Sequence, residues 1–360
     1  MRITFLLPAH GANPVGGFKV VYQYANGLIA RGHEVHIVHA SLADRRSSAK
    51  TRLLGAVKYA AFDLGYKGGY RPGRWFDLDL RVTTSWMSSL TERGIPDADA
   101  VIATAWQTAE WAALYPSSKG RRFYLIQHKE SLFPDADPER AMATWKLPMH
   151  KIVISKWLKE IADEMGQKAT QIPNGLDLEG FGLDTPISER DPGRLLMLSH
   201  FASWKGTPEG IEAMRLAREE VPEIRADLFG VAGAPRGLPD WVEYHRQPGR
   251  EELRALYNRA AIFVSPSWSE GWAMPPAEAM QCGAAACLTD IGGHRDYAIH
   301  GETALLSPPR DPKALAENIV RLAKDQELRT GLATRAREFI RRFTWQKAVD
   351  SFERCLSENA

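Results

Sequence analysis

Residues 260 to 283 restrict the possible folds of this chain more strongly than any other stretch. Ala260 to Val264 has the apolar pattern of a short buried strand, and Pro275 suits the first turn of a helix. A loop between such a strand and helix places the helix start, with its unpaired backbone N–H groups and positive dipole end, at a sheet edge. This arrangement predicts a site for a phosphate group.

Two carboxylates belong to this stretch. Glu270 lies in the loop, and Glu278 lies one to two helical turns into the helix. A carboxylate in contact with a diphosphate would repel it, so we expect both to accept hydrogen bonds from sugar and ribose hydroxyls. The helix start and a cation would then hold the phosphates. Two Glu residues at this spacing also occur by chance, as solvated charges at a helix start.

The complete string is more specific than the two carboxylates alone. Glu270-Gly-Trp-Ala-Met-Pro-Pro-Ala-Glu278 resembles the E-x7-E signature of family 4 retaining glycosyltransferases. The resemblance implies that Glu278 binds the nucleotide ribose and that Glu270 is catalytic and binds the donor sugar. Ala273 replaces the second glycine of the family pattern. The resemblance also assigns intervening residues to donor binding: Gly271, Trp272, Ala273, Met274 and Pro275.

The composition is that of an ordinary globular protein. A chain of 360 residues predicts two or three domains, and 44% apolar with 25% charged residues is usual for such domains. The net charge of +2 gives no reason to expect a nucleic-acid partner. Cys282, Cys287 and Cys355 lack metal-type spacing and fit a reduced compartment. The apolar segment after Met1 is too short for a secretory signal, so we expect a cytoplasmic protein, at most peripheral at the inner membrane face.

The first forty residues have the pattern of a βαβ unit. Ile3 to Leu7 and Glu34 to His39 have the pattern of strands, and a helix is predicted between them. The loop lacks G-x-G-x-x-G and no acidic residue follows the second strand, which argues against an NAD site. Gly16 and Gly17 resemble the glycine pair that family 4 enzymes bring close to the donor. A plain turn is the alternative for this pair.

Residues 41–75 combine eight basic residues with aromatic residues and an apolar series at helical spacing. One interpretation is an amphipathic helix that packs on the sheet and solvates its basic face. The other is a surface for an anionic acceptor, or for peripheral contact of residues 45–76 with a bilayer that carries a lipid-linked acceptor. The acceptor side is expected here. The apolar series is Leu53, Leu54, Val57, Ala61 and Leu64.

Asp-x-Asp triplets begin at Asp77, Asp97 and Asp135. Such a triplet binds the metal in glycosyltransferases of the other major fold. Three copies in one chain argue for coincidence, and no other pattern gathers carboxylates for a hard cation. We therefore predict no metal site.

His128 follows a predicted strand, at the position where open α/β sheets place ligand groups. Family 4 enzymes have a histidine in this region that faces the transferred sugar, so the resemblance makes His128 a catalytic candidate. The alternative is a surface histidine beside Lys129. Residues 151–159 and 172–177 resemble a strand-helix string and a closing turn of the family. We interpret residues 179–193 as a linker.

The second half repeats the alternation of strands and helices. A strand from Leu195 to Ser199 is followed by a loop with His200 and Lys205. Lys205 and the glycine after it resemble the phosphate-clamping R-x4-K-G loop of family 4, with His200 in place of the arginine. The resemblance makes Lys205 catalytic and both residues donor-binding. Asp296 replaces a family glutamate downstream.

These patterns predict an α/β protein of the GT-B fold, with two Rossmann-like parallel-sheet domains facing across a cleft. The predicted acceptor-side domain comprises 1–180 and 344–360, and the predicted donor-binding domain comprises 181–343. The resemblance implies a retaining, metal-independent glycosyltransferase without a cofactor. It would move a hexose-type sugar from a UDP- or GDP-linked donor to a glycan, lipid-linked or small-molecule acceptor, in cell-surface polysaccharide or glycoconjugate synthesis. The alternatives are a non-catalytic sugar-nucleotide-binding subunit of a polysaccharide assembly complex, a GT-B-fold nucleotide-sugar epimerase and a phosphorylase.

Overall fold

The computed structural model describes residues 1–9, 14–65 and 75–358. The chain forms two compact units, Met1–Asn174 with Trp345–Ala360, and Gly175–Thr344. Each unit contains one parallel sheet, which confirms the predicted fold class. The sequence places the corresponding boundaries after residues 180 and 343.

The first unit is built on a seven-stranded sheet whose paired strands all run parallel. Its strands are β1 (Arg2–Leu7), β2 (Glu34–Leu42), β3 (Thr83–Ser89), β4 (Ala100–Ala103), β5 (Arg121–Ile126), β6 (His150–Val153) and β7 (Ala169–Gln171). Their order is β3-β2-β1-β4-β5-β6-β7, so the winding direction reverses between β1 and β4. Open α/β sheets bind ligands outside the carboxyl ends of the strands at such a reversal.

The helices of this unit before residue 175 are α1 (Gly16–Ala30), α2 (Ala49–Gly65), α3 (Trp106–Ala112), α4 (Pro138–Ala143) and α5 (Lys156–Glu164). Val20, Tyr24 and Leu28 recur every four residues and are all buried, so they form the core side of α1. Gly32 follows the helix with a φ of 83°, a conformation that glycine adopts without strain.

The apolar series of α2 does not pack as the amphipathic interpretation predicts. Leu53, Leu54 and Val57 are 60–67% exposed, so the expectation that this apolar stripe is buried is wrong for these three residues. The side chains of Ala61 and Leu64, and the whole of residues 66–74, lie outside the described part. The local spacing fixed the helix, but it did not determine whether a neighbouring element covers its apolar side.

The second unit has a six-stranded sheet, again with only parallel pairs among its strands. The strands are β8 (Arg194–Leu198), β9 (Arg225–Gly230), β10 (Val242–Arg246), β11 (Ile262–Ser265), β12 (Ala285–Thr289) and β13 (Ala304–Ser307). The order β10-β9-β8-β11-β12-β13 reverses between β8 and β11. The helices are α6 (Thr207–Glu220), α7 (Arg250–Arg259), α8 (Met274–Gln281), α9 (Pro312–Lys324) and α10 (Gln326–Ile340).

Residues 179–193 are not a free linker. Arg190 is only 5% exposed and donates hydrogen bonds to the carbonyl oxygens of Tyr257, Ala260 and Cys282. The segment is therefore fixed to the second unit by a buried guanidinium. The Gly, Pro, Asp and Ser content of the segment predicts a linker. Composition does not show that Arg190, within the segment, reaches backbone oxygens far along the chain.

The last helix, α11 (Trp345–Glu358), belongs to the first unit. Phe352 stacks on Tyr24 with ring centroids 4.3 Å apart, and Arg31 pairs with Asp350 and with Glu353 (2.8 Å). This helix therefore combines core packing with charge-assisted contacts at its rim.

Single 3-10 turns occur at Glu92–Gly94, Ser117–Lys119, Glu130–Leu132, Thr144–Lys146, Ile187–Glu189 and Ser203–Lys205. None of the helices in the described part of the chain combines the length and apolar character that a bilayer-spanning helix needs.

The contact between α1 and α11 is tight at Gly27. A Cβ atom at Gly27 would lie 2.6 Å from Cγ2 of Val349. We expect Gly27→Ala to lower the free energy of unfolding by about 1–2 kcal/mol, because overpacking outweighs the gain in helix propensity. Urea denaturation measures the change, and Val349→Ala in the same chain should restore part of it. A Gly27→Ala protein as stable as the parent would contradict this packing.

Candidate functional site

The reversal in the second sheet brings two loops together. β8 and β11 are parallel neighbours, so the loops that follow them leave the same edge of the sheet. The backbone N–H of Trp268 donates to the carbonyl oxygen of Trp204 at 2.7 Å, which ties one loop to the other.

Gly206 allows the close approach of these loops. Its φ is +64°, and a Cβ atom there would overlap the carbonyl oxygen of Pro266. Only glycine fits without strain in that backbone conformation and that space. The Lys-Gly pair found in the sequence therefore has a structural cause, since the glycine lets the lysine reach across to the second loop.

Lys205 and Glu270 form an ion pair between the two loops. The lysine Nζ lies 2.7 Å from Oε1 and 2.8 Å from Oε2 of Glu270, and Ser267 Oγ donates to Oε1 at 2.8 Å. The side chains of Lys205 and Glu270 are 21% and 11% exposed. The structure thus joins two residues that sequence patterns had identified separately.

Opposing effects act on the pKa of Glu270. Burial favours the neutral carboxyl group, but the charge and hydrogen bonds of Lys205, with help from Ser267, outweigh burial and lower the pKa. Glu270 is therefore an ionised acceptor at neutral pH.

A third segment, which contains Gly293 and His294, packs against Glu270. A Cβ atom at Gly293 would lie 2.5 Å from Cβ of Glu270, so this glycine permits direct backbone packing. The next residue, His294, is fully buried, with Nδ1 2.8 Å from the Thr289 carbonyl oxygen and Nε2 3.4 Å from Ser265 Oγ. Sequence reasoning did not assign a role to Ser267 or His294. Nothing in the local pattern shows that they support Glu270.

The start of α8 offers fewer donors than its position suggests. The first N–H groups of a helix lack intrahelical partners. Here Ala273 donates its N–H to Gly293 O at 3.2 Å, and the residues at 275 and 276 are prolines without an N–H. Met274 is left as the one residue of this turn whose N–H has no partner among the residues described. The sequence predicts several unpaired backbone N–H groups at this helix start. The structure leaves the N–H of Met274 and the helix dipole available to an anion.

The predicted donor-binding string is mostly buried. Trp272 is 4% exposed and packs against Tyr297 and Phe343, with ring centroids 5.0 and 5.6 Å away. Gly271 and Ala273 are also buried, whereas Met274 and Pro275 keep partial exposure. Trp272 thus supports the loop from inside.

Glu278 lies in the second turn of α8 and is 4% exposed. Its Oε2 accepts a hydrogen bond from Tyr257 of α7 at 3.0 Å. Burial, followed by the charge of Glu278, raises the pKa of Tyr257 well above its usual value, so the phenol remains a donor. This buried tyrosine fixes the carboxylate, and sequence reasoning missed it.

His200 stands at the carboxyl end of β8. Its Nδ1 accepts from the backbone N–H of Ala202 at 3.0 Å, and its ring stacks on Phe201 at 4.5 Å. Burial and then the charge of Lys205 lower its pKa, while Glu270 acts in the opposite direction. The ring is therefore neutral, with the proton on Nε2, and offers one donor.

One cation near this loop was not predicted. The guanidinium of Arg310 lies 4.0 Å from the centre of the Trp268 ring. Arg310 adopts a φ of 62°, which is unusual for a residue other than glycine. Arg310 lies far from Trp268 along the chain, so the sequence pattern did not indicate this contact.

In the first unit, Gly16 and Gly17 open α1. A Cβ atom at Gly17 would lie 3.3 Å from Nε2 of Gln127, the residue before His128. The ring of His128 packs on Phe133 at 4.8 Å and meets the edge of Trp157 at 6.2 Å. The predicted glycine pair and the predicted histidine segment thus meet at the carboxyl edge of the first sheet. The preceding loop residues 10–13 lie outside the described part.

Glu130 is a titratable group at the same edge that sequence reasoning did not identify. Its Oε2 accepts from the backbone N–H of Trp106 at 2.7 Å and from the hydroxyl of Tyr124 at 3.1 Å. Burial raises its pKa to about 7, against the lowering effect of these hydrogen bonds. It titrates near neutrality.

The Asp-x-Asp triplets have structural partners. Asp97 pairs with Lys119 at 2.9 Å, Asp99 pairs with Arg2 at 3.0 Å, and Asp137 caps α4. These contacts favour the coincidence interpretation.

A cluster of two carboxylates and a histidine in the second unit has metal-type spacing. Within the described ranges, Asp227, Glu243 and His245 place ligand atoms within 4.8 Å of one another. Arg194 and Arg259 already pair with Asp227, at 2.8 and 2.6 Å. Two guanidinium groups on the central carboxylate disfavour a cation there.

Comparisons with known proteins agree with this architecture. Residues 186–339 match the family described as "Glycosyl transferases group 1". An uncharacterized glycosyltransferase of Methanocaldococcus jannaschii is 26% identical over 58% of this chain and 59% of its own length. The phosphatidyl-myo-inositol mannosyltransferase of Mycolicibacterium smegmatis is 23% identical over 96% of this chain and 90% of its own length. This chain spans about half the length of several curated relatives that it matches.

Solved structures extend the likeness to the whole chain. Anabaena HepE, solved with UDP and glucose, has a TM-score of 0.74 at 16% identity and covers 99% of this chain and 100% of its own. Sucrose-phosphate synthase from Thermosynechococcus elongatus has a TM-score of 0.73 at 18% identity, covering 100% of this chain and 99% of its own. The chain has the GT-B fold, and the matches support a group 1 glycosyltransferase.

The raised pKa of Glu130 predicts that the free energy of unfolding depends on pH. Between its ordinary value of 4.5 and about 7, the folded state binds this proton more tightly than the unfolded chain. The Glu130 contribution to the free energy of unfolding therefore falls as pH rises through that window, by on the order of 1 kcal/mol or more. Glu130→Gln keeps an acceptor for Trp106 and should remove this slope in urea denaturation. Exposed Glu139→Gln should keep it, and equal slopes in both variants would contradict the assignment.

Proposed function

We propose that this chain is a retaining, metal-independent glycosyltransferase of family 4. It moves a hexose-type sugar from a UDP- or GDP-linked donor to a glycan, lipid-linked or small-molecule acceptor in cell-surface polysaccharide or glycoconjugate synthesis. The observation that carries the proposal is the Lys205–Glu270 pair beside the start of α8. A cation for phosphate and a carboxylate for hydroxyls then lie in direct contact, as a sugar diphosphate requires.

The donor capacity of the pair fits this use. An ammonium group has three N–H donors. The two Glu270 oxygens take two of them, which leaves one for a diphosphate oxygen. Oε1 of Glu270 also accepts from Ser267, so Oε2 has the greater remaining capacity for a sugar hydroxyl.

Charge develops on the diphosphate as the sugar leaves it. Lys205, the Met274 N–H and the Nε2–H of His200 stabilise this charge, and preorganised donors of this kind usually contribute more to the rate than any other effect. The acceptor attacks from the leaving-group face and gives its proton to a diphosphate oxygen, which retains the anomeric configuration. Glu270 and His128 position the transferred sugar, and Glu278 binds the ribose. Gly16 and Gly17 admit the donor close to the backbone.

The names of similar proteins support the donor class. One relative is a phosphatidyl-myo-inositol mannosyltransferase, another is a GDP-mannose:cellobiosyl-diphosphopolyprenol alpha-mannosyltransferase, and a structural neighbour was solved with UDP and glucose. These names favour a nucleotide-linked hexose as donor. They also agree with lipid-linked acceptors.

The first unit supplies the acceptor side in this proposal. Leu53, Leu54 and Val57 are exposed on α2, and Lys50 precedes them on the same helix. Apolar side chains beside basic ones suit peripheral contact with an anionic bilayer. The proposed location is therefore the cytoplasm, at the inner membrane face.

Incubation with a panel of UDP-, GDP- and ADP-sugars tests the function. We expect one donor to release its free nucleotide slowly without acceptor, and faster with an acceptor. EDTA should leave the rate unchanged, since Lys205 and backbone N–H groups neutralise the diphosphate. Tight binding without turnover would support a non-catalytic subunit, for which Ala273, His200 and Asp296 are the suggestive replacements. Sugar isomerisation would support an epimerase, and a requirement for Mg²⁺ or Mn²⁺ would overturn the metal-free mechanism.

Removal of the lysine tests the ion pair. Lys205→Met should weaken donor binding by about 1.5–3 kcal/mol, because one charge-assisted hydrogen bond to phosphate is lost. Calorimetry with the UDP- or GDP-sugar found in the panel measures it. The matched control is Lys324→Met, which breaks a Lys–Glu pair of 3.0 Å with Glu220 on the surface of the same unit. Equal donor affinity in the two variants would remove Lys205 from the phosphate site.

A second variant separates ribose binding from structural support. Glu278→Gln should weaken donor binding by about 1.5–3 kcal/mol because the ribose loses a charged acceptor. The comparison variant is Tyr257→Phe, which removes the 3.0 Å hydrogen bond to Glu278 but keeps the Glu278 carboxylate. We expect Tyr257→Phe to lower stability with a smaller effect on donor affinity. If both variants bind the donor as the parent does, Glu278 has no ribose role.

A further inference from the structure

A cavity of about 610 Å³ lies at the edge of the first sheet opposite to its predicted ligand edge. Arg121 and His150, the first residues of β5 and β6, line it. His128 follows the other end of β5. A strand of six residues spans about 20 Å, at about 3.3 Å per residue, so the cavity is separate from the site around His128.

The cavity wall is basic and lacks acidic residues. Arg121, Arg122, Lys146, His150 and Lys151 line it, and no carboxylate is among the lining residues. None of the four Arg and Lys side chains forms an ion pair with any residue in the described ranges.

Several cations elsewhere in this unit pair with carboxylates, as Arg31 does with Glu353 and Arg140 does with Glu110. The cavity therefore concentrates uncompensated positive charge in one place. Such a cluster is electrostatically unfavourable unless an anion joins it.

Two of the cations are partly removed from water. Lys151 is 5% exposed, and its Nζ donates to Leu147 O at 2.8 Å and to Gln167 Oε1 at 3.0 Å. Burial lowers the pKa of Lys151. Arg121 donates through Nη2 to Leu356 O at 2.9 Å, while its buried Nη1 has no partner among the described residues. Neutral oxygens satisfy some of these donors, but they leave the charges uncompensated.

We propose that this cavity binds a small phosphorylated anion, at a site distinct from the sugar-nucleotide site of the second unit. Several Arg and Lys donors around one concave space suit a phosphate group, which accepts charge-assisted hydrogen bonds from several directions. The volume leaves room for the organic part of such a molecule. Two sources share this chemistry, a free phosphorylated metabolite and the headgroup of an anionic lipid.

Calorimetric titration of the full chain with inorganic pyrophosphate tests the proposal. Lys205→Met weakens pyrophosphate binding at the donor site, so the cavity contributes a larger share of the binding that remains. Adding Lys146→Glu should weaken that remaining binding about tenfold or more, because one charge-assisted contact is lost and repulsion replaces it. Lys146 is exposed, so its replacement does not disturb the core. The matched control adds Arg93→Glu, the same charge change on an exposed side chain of the same unit.

Equal pyrophosphate affinity in the two double variants would overturn the proposal, as would the absence of binding to Lys205→Met. Sedimentation with phosphatidylglycerol vesicles then identifies the source. Weaker vesicle binding by Lys146→Glu than by Arg93→Glu assigns the site to a lipid headgroup. Equal vesicle binding, with weaker pyrophosphate binding by Lys146→Glu, assigns it to a free phosphorylated molecule.

Discussion

The site of the second unit exists because β8 pairs with β11. Lys205 and Glu270 lie 65 residues apart in the chain, yet their side chains meet because both loops leave neighbouring strands at the same edge. Each charge is partly buried, so either one alone would be poorly solvated. Gly206 and Gly293 remove the side chains that would keep these backbones apart. The Lys205–Glu270 ion pair therefore depends on the strand order and on the close backbone approach that Gly206 and Gly293 allow.

The distribution of donors around this pair differs from that of a simple helix start. Prolines at 275 and 276, together with the Ala273–Gly293 hydrogen bond, leave α8 with little backbone donor capacity. In the proposed function, side chains would then supply most of the positive potential for a diphosphate. Lys205 is placed to do so, and a neutral His200 adds one donor rather than a second charge. This distribution makes the proposed site more dependent on a single lysine than the sequence pattern suggests.

The two edges of the first sheet have different electrostatic character. At the carboxyl edge, Glu130 and His128 lie among aromatic rings, and burial moves the glutamate into the neutral pH range. At the amino edge, Arg121 and Lys151 belong to a basic wall without acidic members. Parallel strands cause this separation, because every carboxyl end falls on one side and every amino end on the other.

Local patterns in the amino-acid sequence were sufficient to predict the alternation of strands and helices, the buried side of α1 and the strand-loop-helix around Glu270, because these depend on residue spacing and on Pro and Gly geometry. The three-dimensional packing was needed to show that Lys205 pairs with Glu270, that Tyr257 holds Glu278 and that the surroundings of Glu130 raise its pKa. It also showed that Leu53, Leu54 and Val57 of α2 are exposed and that Arg190 anchors residues 179–193 to the second unit. The physical reason is that burial and pairing depend on which distant elements become neighbours, and a periodic pattern contains no information about its neighbours in space.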